Sequence, residues 1–162
     1  MLRSFLLTFL LCGALSFAQE VKIIPQPVQL KKNSGSFVIN SQTKLVVANK
    51  ENEATATFLN KYLADYYGFK LQIVKKADKN SIEFKSLKNI EGLKSESYSL
   101  KSNEEGVVIE GNSPTGTFYG MQTLIQLLPV EKSNSLKIAS VEVKDGPRFA
   151  YRGAMLDVGR HY

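Results

Sequence analysis

Asp157, Arg160 and His161, close together near the end of the chain, are the side chains best suited by type and spacing to hold a ligand. A guanidinium is a planar fork of donors that can serve two vicinal hydroxyls at once, or pair with a carboxylate. Arg160 is therefore a candidate for gripping a polyhydroxyl ligand, and equally for an ion pair with Asp157 that braces a loop. His161 is the only histidine, and no nucleophile or base partner stands near it in the sequence, so it reads as a packed or hydrogen-bonded group. Arg152 reads as a salt-bridge residue. One Cys and one His in 162 residues exclude an internal disulfide and argue against a Cys/His metal site. No cofactor is expected.

The elements that must position these residues begin just upstream. Ala154-Met155-Leu156 is a short apolar run of the kind found in a strand buried on both faces, and Asp157 follows it directly. Such a strand needs hydrogen-bonding neighbours, since unpaired backbone groups are costly when buried and adhesive when exposed. Residues 148–162 are accordingly expected to open a second, truncated domain, which makes the chain an N-terminal piece.

Before that point the pattern alternates between short β-type runs and two helices. Ile23-Ile24-Pro25-Gln26-Pro27 is held extended by its prolines. Strands are expected at Ser36–Ile39 and Lys44–Val47, then at Leu71–Val74, Ser81–Lys85, Ser97–Lys101 and Val107–Glu110, with a hairpin turn at Asn103-Glu104-Glu105-Gly106. A last pair is expected at Leu136–Ala139 and Val141–Lys144. The spacing predicts a helix over Glu53–Tyr67, with Ala56, Leu59, Leu63 and Tyr66 as its apolar stripe. Asn52 is its expected cap and Gly68 its left-handed terminator. A second helix starts at Ser113-Pro114 and closes before Pro129, with Phe118, Met121, Ile125 and Leu128 as the stripe and Leu124 beside it. Four consecutive strands between two helices argue for an α+β domain: a mixed or antiparallel sheet with both helices on one face. A doubly wound nucleotide-binding fold is disfavoured.

The first residues form an address. Arg3 precedes an uncharged, apolar block from Phe5 to Phe17, shorter than the roughly 20 residues of a spanning helix. Small residues at Ser16 and Ala18 place signal cleavage after Ala18, so the chain is expected to be exported to a periplasm, a cell surface or the medium. Bulky Leu11 before Cys12 argues against a lipoprotein. Cleavage removes the only cysteine, which suits an oxidising compartment. At 43% hydrophobic and 22% charged the composition is globular. The net charge of +6 permits polyanion binding, but scattered lysines without an aromatic-basic stripe point away from nucleic acid.

Three stretches together resemble the N-terminal part of family 20 glycoside hydrolases, the exo-acting β-N-acetylhexosaminidases. They are Ile23-Ile24-Pro25-Gln26-Pro27, the helical run from Gly116 to Leu128, and Tyr151 to Tyr162. The last is the most specific: arginine-glycine, an apolar run, aspartate, arginine, histidine and an aromatic all fall in register. The resemblance implies a signal peptide over 1–18, a non-catalytic accessory α+β domain over 19–147, and the first strand of a catalytic (β/α)8 barrel over 148–162.

It also implies a chemistry. In that family the sugar's own 2-acetamido carbonyl attacks the anomeric carbon, an exception to the two-carboxylate scheme. An adjacent Asp-Glu pair protonates the leaving oxygen and orients the acetamide. No Asp-Glu dipeptide occurs in this chain, so no residue here is assigned catalysis, and the chain by itself is expected to be inactive. Arg160 matches the arginine that holds the 3- and 4-hydroxyls of the terminal sugar, with Asp157 and His161 as its support. The partners implied are N-acetylhexosamine-terminated glycans or chitin oligosaccharides and the missing barrel, with no membrane attachment after signal cleavage.

Two other readings compete: a self-contained carbohydrate-binding or scaffolding domain, and the accessory domain of an O-GlcNAcase-like or α-glucuronidase family. The paired aromatics Tyr66-Tyr67 and Phe118-Tyr119 invite sugar stacking, yet their helical spacing suits a core. Gly116 and Gly120 lack the lysine of a phosphate loop.

Overall fold

The computed structural model describes residues 21–87, 94–155 and 159. Met1–Ala18, Asp157, Arg160 and His161 lie outside them. The described elements run β1 (Gln29–Ile39), β2 (Lys44–Val47), α1 (Glu53–Tyr67), β3 (Gln72–Val74), β4 (Ser81–Ser86), β5 (Tyr98–Asn103), β6 (Gly106–Gly111), α2 (Pro114–Leu127) and β7 (Leu136–Asp145). All seven strands join one sheet in the order β1-β7-β5-β6-β4-β2-β3. Pairing is antiparallel from β1 to β6 and parallel from β6 through β4 and β2 to β3. The domain is thus α+β with a mixed sheet.

Period-two alternation decides which face is buried. Leu45 and Val47 of β2, Ile82 and Phe84 of β4, Val107 and Ile109 of β6 and Tyr98 and Leu100 of β5 point into one core. Ala56, Leu59 and Leu63 of α1 and Met121 and Leu124 of α2 complete it. Both helices therefore cover the same face, and the rings of Phe58 and Phe118 meet edge-on at 5.5 Å where they touch.

The start of α2 is built as its residues dictate. Ser113 Oγ accepts from the Gly116 amide at 3.2 Å, and Pro114 occupies the first turn. Gly116 and Gly120 let this helix lie directly on the sheet. A Cβ at Gly116 would stand 2.5 Å from the Ser97 carbonyl oxygen, and one at Gly120 2.5 Å from Ile109 Cγ2. Their role is close packing.

Several expectations are corrected. Asn52 stands at the cap position of α1 as expected, but its side chain makes no capping hydrogen bond: it is buried, and its oxygen accepts from the Ser86 hydroxyl at 3.0 Å. In α1 the inward tyrosine is Tyr67, whose hydroxyl donates to the Pro129 carbonyl at 2.6 Å, while Tyr66 is exposed. In α2, Leu124 and Leu127 are buried and Phe118 and Ile125 sit at the margin. The last two expected strands are one continuous strand, β7, whose pairing with β1 is irregular at Ser140. There β1 sets Asn33-Ser34-Gly35 against that single residue, and Gly35 adopts a φ of +96°. Ser102 closes the irregularity by donating to the Ala139 carbonyl at 2.8 Å and accepting from the Val141 amide at 2.9 Å.

The strand expected at Ala154-Met155-Leu156 as the opening of a second domain falls partly outside the described residues. Residues 151–155 lie outside any strand and are exposed, and none of the seven strands pairs with them. Leu156, the last residue of that run, lies outside the described residues.

Candidate functional site

At one end of the sheet, three stretches distant in sequence converge: the entry into β5, the outer side of α2 and the segment leaving β7. The ladder itself brings the first and last together, with Tyr98 opposite Asp145. Beyond Asp145 the chain passes Ser97 so closely that Gly146 has no room for a side chain; a Cβ there would meet both the backbone and the hydroxyl of Ser97. A cleft of about 440 Å³ opens beside this crossing, bordered by Pro25, Tyr98, Tyr119, Gln126, Pro147 and Arg152.

The proline-bounded entry is fastened to the same end. The Ile24 amide donates to Gln126 Oε1 at 2.8 Å, and the Val28 amide to Asp145 Oδ1 at 3.2 Å. On the opposite wall Arg152 reaches three partners. Its Nη1 donates to the Phe149 carbonyl at 2.6 Å, and its Nη2 to Glu96 Oε2 at 2.7 Å and to the Tyr119 hydroxyl at 3.2 Å. These bonds, with Glu96 foremost and Tyr119 next, hold the guanidinium still more firmly in its charged form. Arg152 is thus a salt-bridge residue, as the sequence suggests, though its partner belongs to the α+β domain.

Tyr98 forms the floor. Its hydroxyl shares a 2.5 Å hydrogen bond with Thr123 Oγ1, and burial pushes its pKa up to about 12. The sign is that of an acid kept neutral by the fold. The unfolded chain releases this proton near pH 10.0, so the contribution of Tyr98 is complete below that pH and is lost as pH rises towards 12. Thermal unfolding followed through this range should show a falling Tm, and Tyr98→Phe should flatten the fall. A Tm that declines identically in both proteins would assign the alkaline sensitivity elsewhere.

The carboxylates of this end are already engaged, Glu96 by Arg152 and Asp145 by the Val28 amide. Among the described residues no cluster of three or more His, Cys, Asp or Glu is placed to hold a metal ion. The described arrangement can bind and position; it carries no nucleophile with an adjacent base. The aromatics divide. Tyr67 is core, whereas Phe58 and Tyr66 are exposed and Tyr62 and Tyr66 stack on each other at 4.5 Å. Glu96 and Tyr119 were not singled out by the sequence for a polar role; their partnership with Arg152 has no spacing signature.

The sequence and the fold both have known counterparts. The family model for glycosyl hydrolase family 20, domain 2, matches residues 20–146. A β-hexosaminidase of Porphyromonas gingivalis is 40% identical over 153 residues, covering 90% of this chain and 20% of that protein. Among solved structures, the family 20 β-N-acetylhexosaminidase of Streptomyces coelicolor superposes with a TM-score of 0.76 at 31% identity, covering 86% of this chain and 29% of that one. An exo β-N-acetylglucosaminidase of Vibrio harveyi, solved with N-acetylglucosamine, gives 0.74 at 29% identity, covering 86% and 21%. The chain therefore spans between a fifth and a third of the length of these relatives.

Proposed function

The chain belongs to glycosyl hydrolase family 20, as its domain 2, and from that premise we propose that it serves a longer, exported β-N-acetylhexosaminidase. The longer protein removes terminal β-linked N-acetylglucosamine or N-acetylgalactosamine from glycans or chitin oligosaccharides. The observation that carries this reading is the family match over residues 20–146, joined by relatives of which this chain spans only a part. The N-acetylglucosamine bound by the Vibrio harveyi relative supports the substrate class.

In this reading residues 148–162 open the catalytic (β/α)8 barrel, and barrel active sites form where strands end. Arg160 would then reach the sugar from the end of the first strand. Its fork matches the spacing of two vicinal hydroxyls, and Asp157 and His161 steady it. The segment Met1–Ala18 supports export, so the substrate would be met outside the cytoplasm.

The α+β domain contributes no reacting group in this scheme. It anchors the chain on either side of the cleft and sets where the barrel begins. The attacking group is the substrate's own acetamide, so the test is a matched pair of chromogenic glycosides. The full-length protein should hydrolyse the N-acetyl-β-glucosaminide and leave the β-glucoside, which lacks the acetamide, untouched. Equal turnover of the two would contradict substrate assistance.

A further inference from the structure

Among the described residues, the contacts that fasten the segment from Arg148 onward are polar. Its apolar side chains do not anchor it: Phe149 is 73% exposed, Tyr151 89% and Met155 94%. What fastens it is Lys94, whose ammonium donates to the Arg148 carbonyl at 3.4 Å, and above all Arg152. One guanidinium ties the segment to itself through the Phe149 carbonyl, to the approach of β5 through Glu96, and to α2 through Tyr119.

We propose that Arg152 is a positioning residue: its three-way clasp sets the course on which the chain leaves the α+β domain and so aims the stretch that carries Arg160. The clasp is ill suited to stabilising the domain. The Arg152 and Glu96 side chains are 43% and 35% exposed, and ion pairs at such exposure add little to folding. It is well suited to direction. A planar fork bonded to its own segment and to two separate elements fixes orientation as well as distance, which a single flexible contact does not.

Only the last step, the aiming of Arg160, rests on the hexosaminidase reading. The clasp itself is tested on the present chain by backbone order parameters from ¹⁵N relaxation. Amides from Phe149 to Met155 should show values near about 0.85 in the wild type and below about 0.6 in Arg152→Gln. The Tm should move by less than about 4 °C, as for other exposed substitutions. Glu96→Gln should loosen the same amides and add nothing in the Arg152→Gln background. Arg152→Lys, which keeps the charge and loses the fork, should restore them only in part.

In the full-length protein Arg152→Gln should raise KM about tenfold with kcat nearly unchanged. A wild-type segment that is already mobile, order parameters indifferent to Arg152→Gln, or an unchanged KM would each overturn the proposal. The relaxation measurement needs no turnover, so failure of the clasp and failure of the hexosaminidase reading are distinguishable.

Discussion

Phe84→Ala is expected to cost the domain about 3–5 kcal/mol, a large share of the roughly 5–15 kcal/mol that holds a native domain together. Phe84 is 0% exposed and heads the largest fully buried side chains. It sits on β4, which is hydrogen-bonded on both sides, to β6 and to β2. Its strand is also pinned from above, because Thr117 of α2 donates to the Lys85 carbonyl at 3.1 Å. A wall fixed on two sides and from the helix layer cannot collapse into the space a lost ring leaves. The cavity cost therefore adds to the lost burial. Urea unfolding followed by far-ultraviolet circular dichroism should show a much lower midpoint with an unchanged slope. Phe84→Leu should recover most of the difference. A midpoint that stays with the wild type would mean that the helices do not pack on β4 as described.

Arg160→Ala in the full-length protein is expected to lower kcat/KM by roughly 10²–10⁴. The proposed grip is one charged fork on two hydroxyls, and hydrogen bonds to a charged group contribute about 1.5–3 kcal/mol each. Arg160→Lys should not restore the loss, because an ammonium is a point donor that cannot span both hydroxyls. Circular dichroism and Tm should be unaltered, which separates a lost grip from a lost fold. An unchanged kcat/KM would remove Arg160 from the site and favour its alternative use, an ion pair bracing Asp157.

Which features the amino-acid order announces, and which only the folded chain reveals, follows from how local the determinants are. Helix bounds were readable because their signals are short range: Ser113-Pro114 opens α2 and Gly68, at a φ of +79°, ends α1. The first half of β1 carries no such signal. Lys31, Lys32, Asn33 and Ser34 show no alternation, and the stretch is a strand because β7 lies beside it at the sheet's edge. Ser140 reads as a break between two strands, yet Ser102, far away in sequence, supplies the hydrogen bonds that let β7 run through it.

Asn52 has a capping side chain, but burial beside Ser86 turned it to a different partner. Tyr66 and Tyr67 are adjacent and chemically identical; the reach of Tyr67 to the Pro129 carbonyl decides which one goes inward. The site divides in the same way. The run from Tyr151 to Tyr162 is contiguous and announces a family resemblance, which the domain 2 match over 20–146 supports from a different part of the chain. The clasp joins residues 96, 119 and 152, which only the sheet order and α2 bring within hydrogen-bond range.

Hydrolysis of a chromogenic N-acetyl-β-glucosaminide, measured side by side for this chain and for the full-length protein, bears most directly on the role given to the domain. The longer protein should release the chromophore, and the chain alone should release none above the buffer rate, because it has no Asp-Glu pair to protonate the leaving oxygen. Turnover by the isolated chain that vanishes on Arg160→Ala would contradict the account, since the domain would then hold an active site of its own.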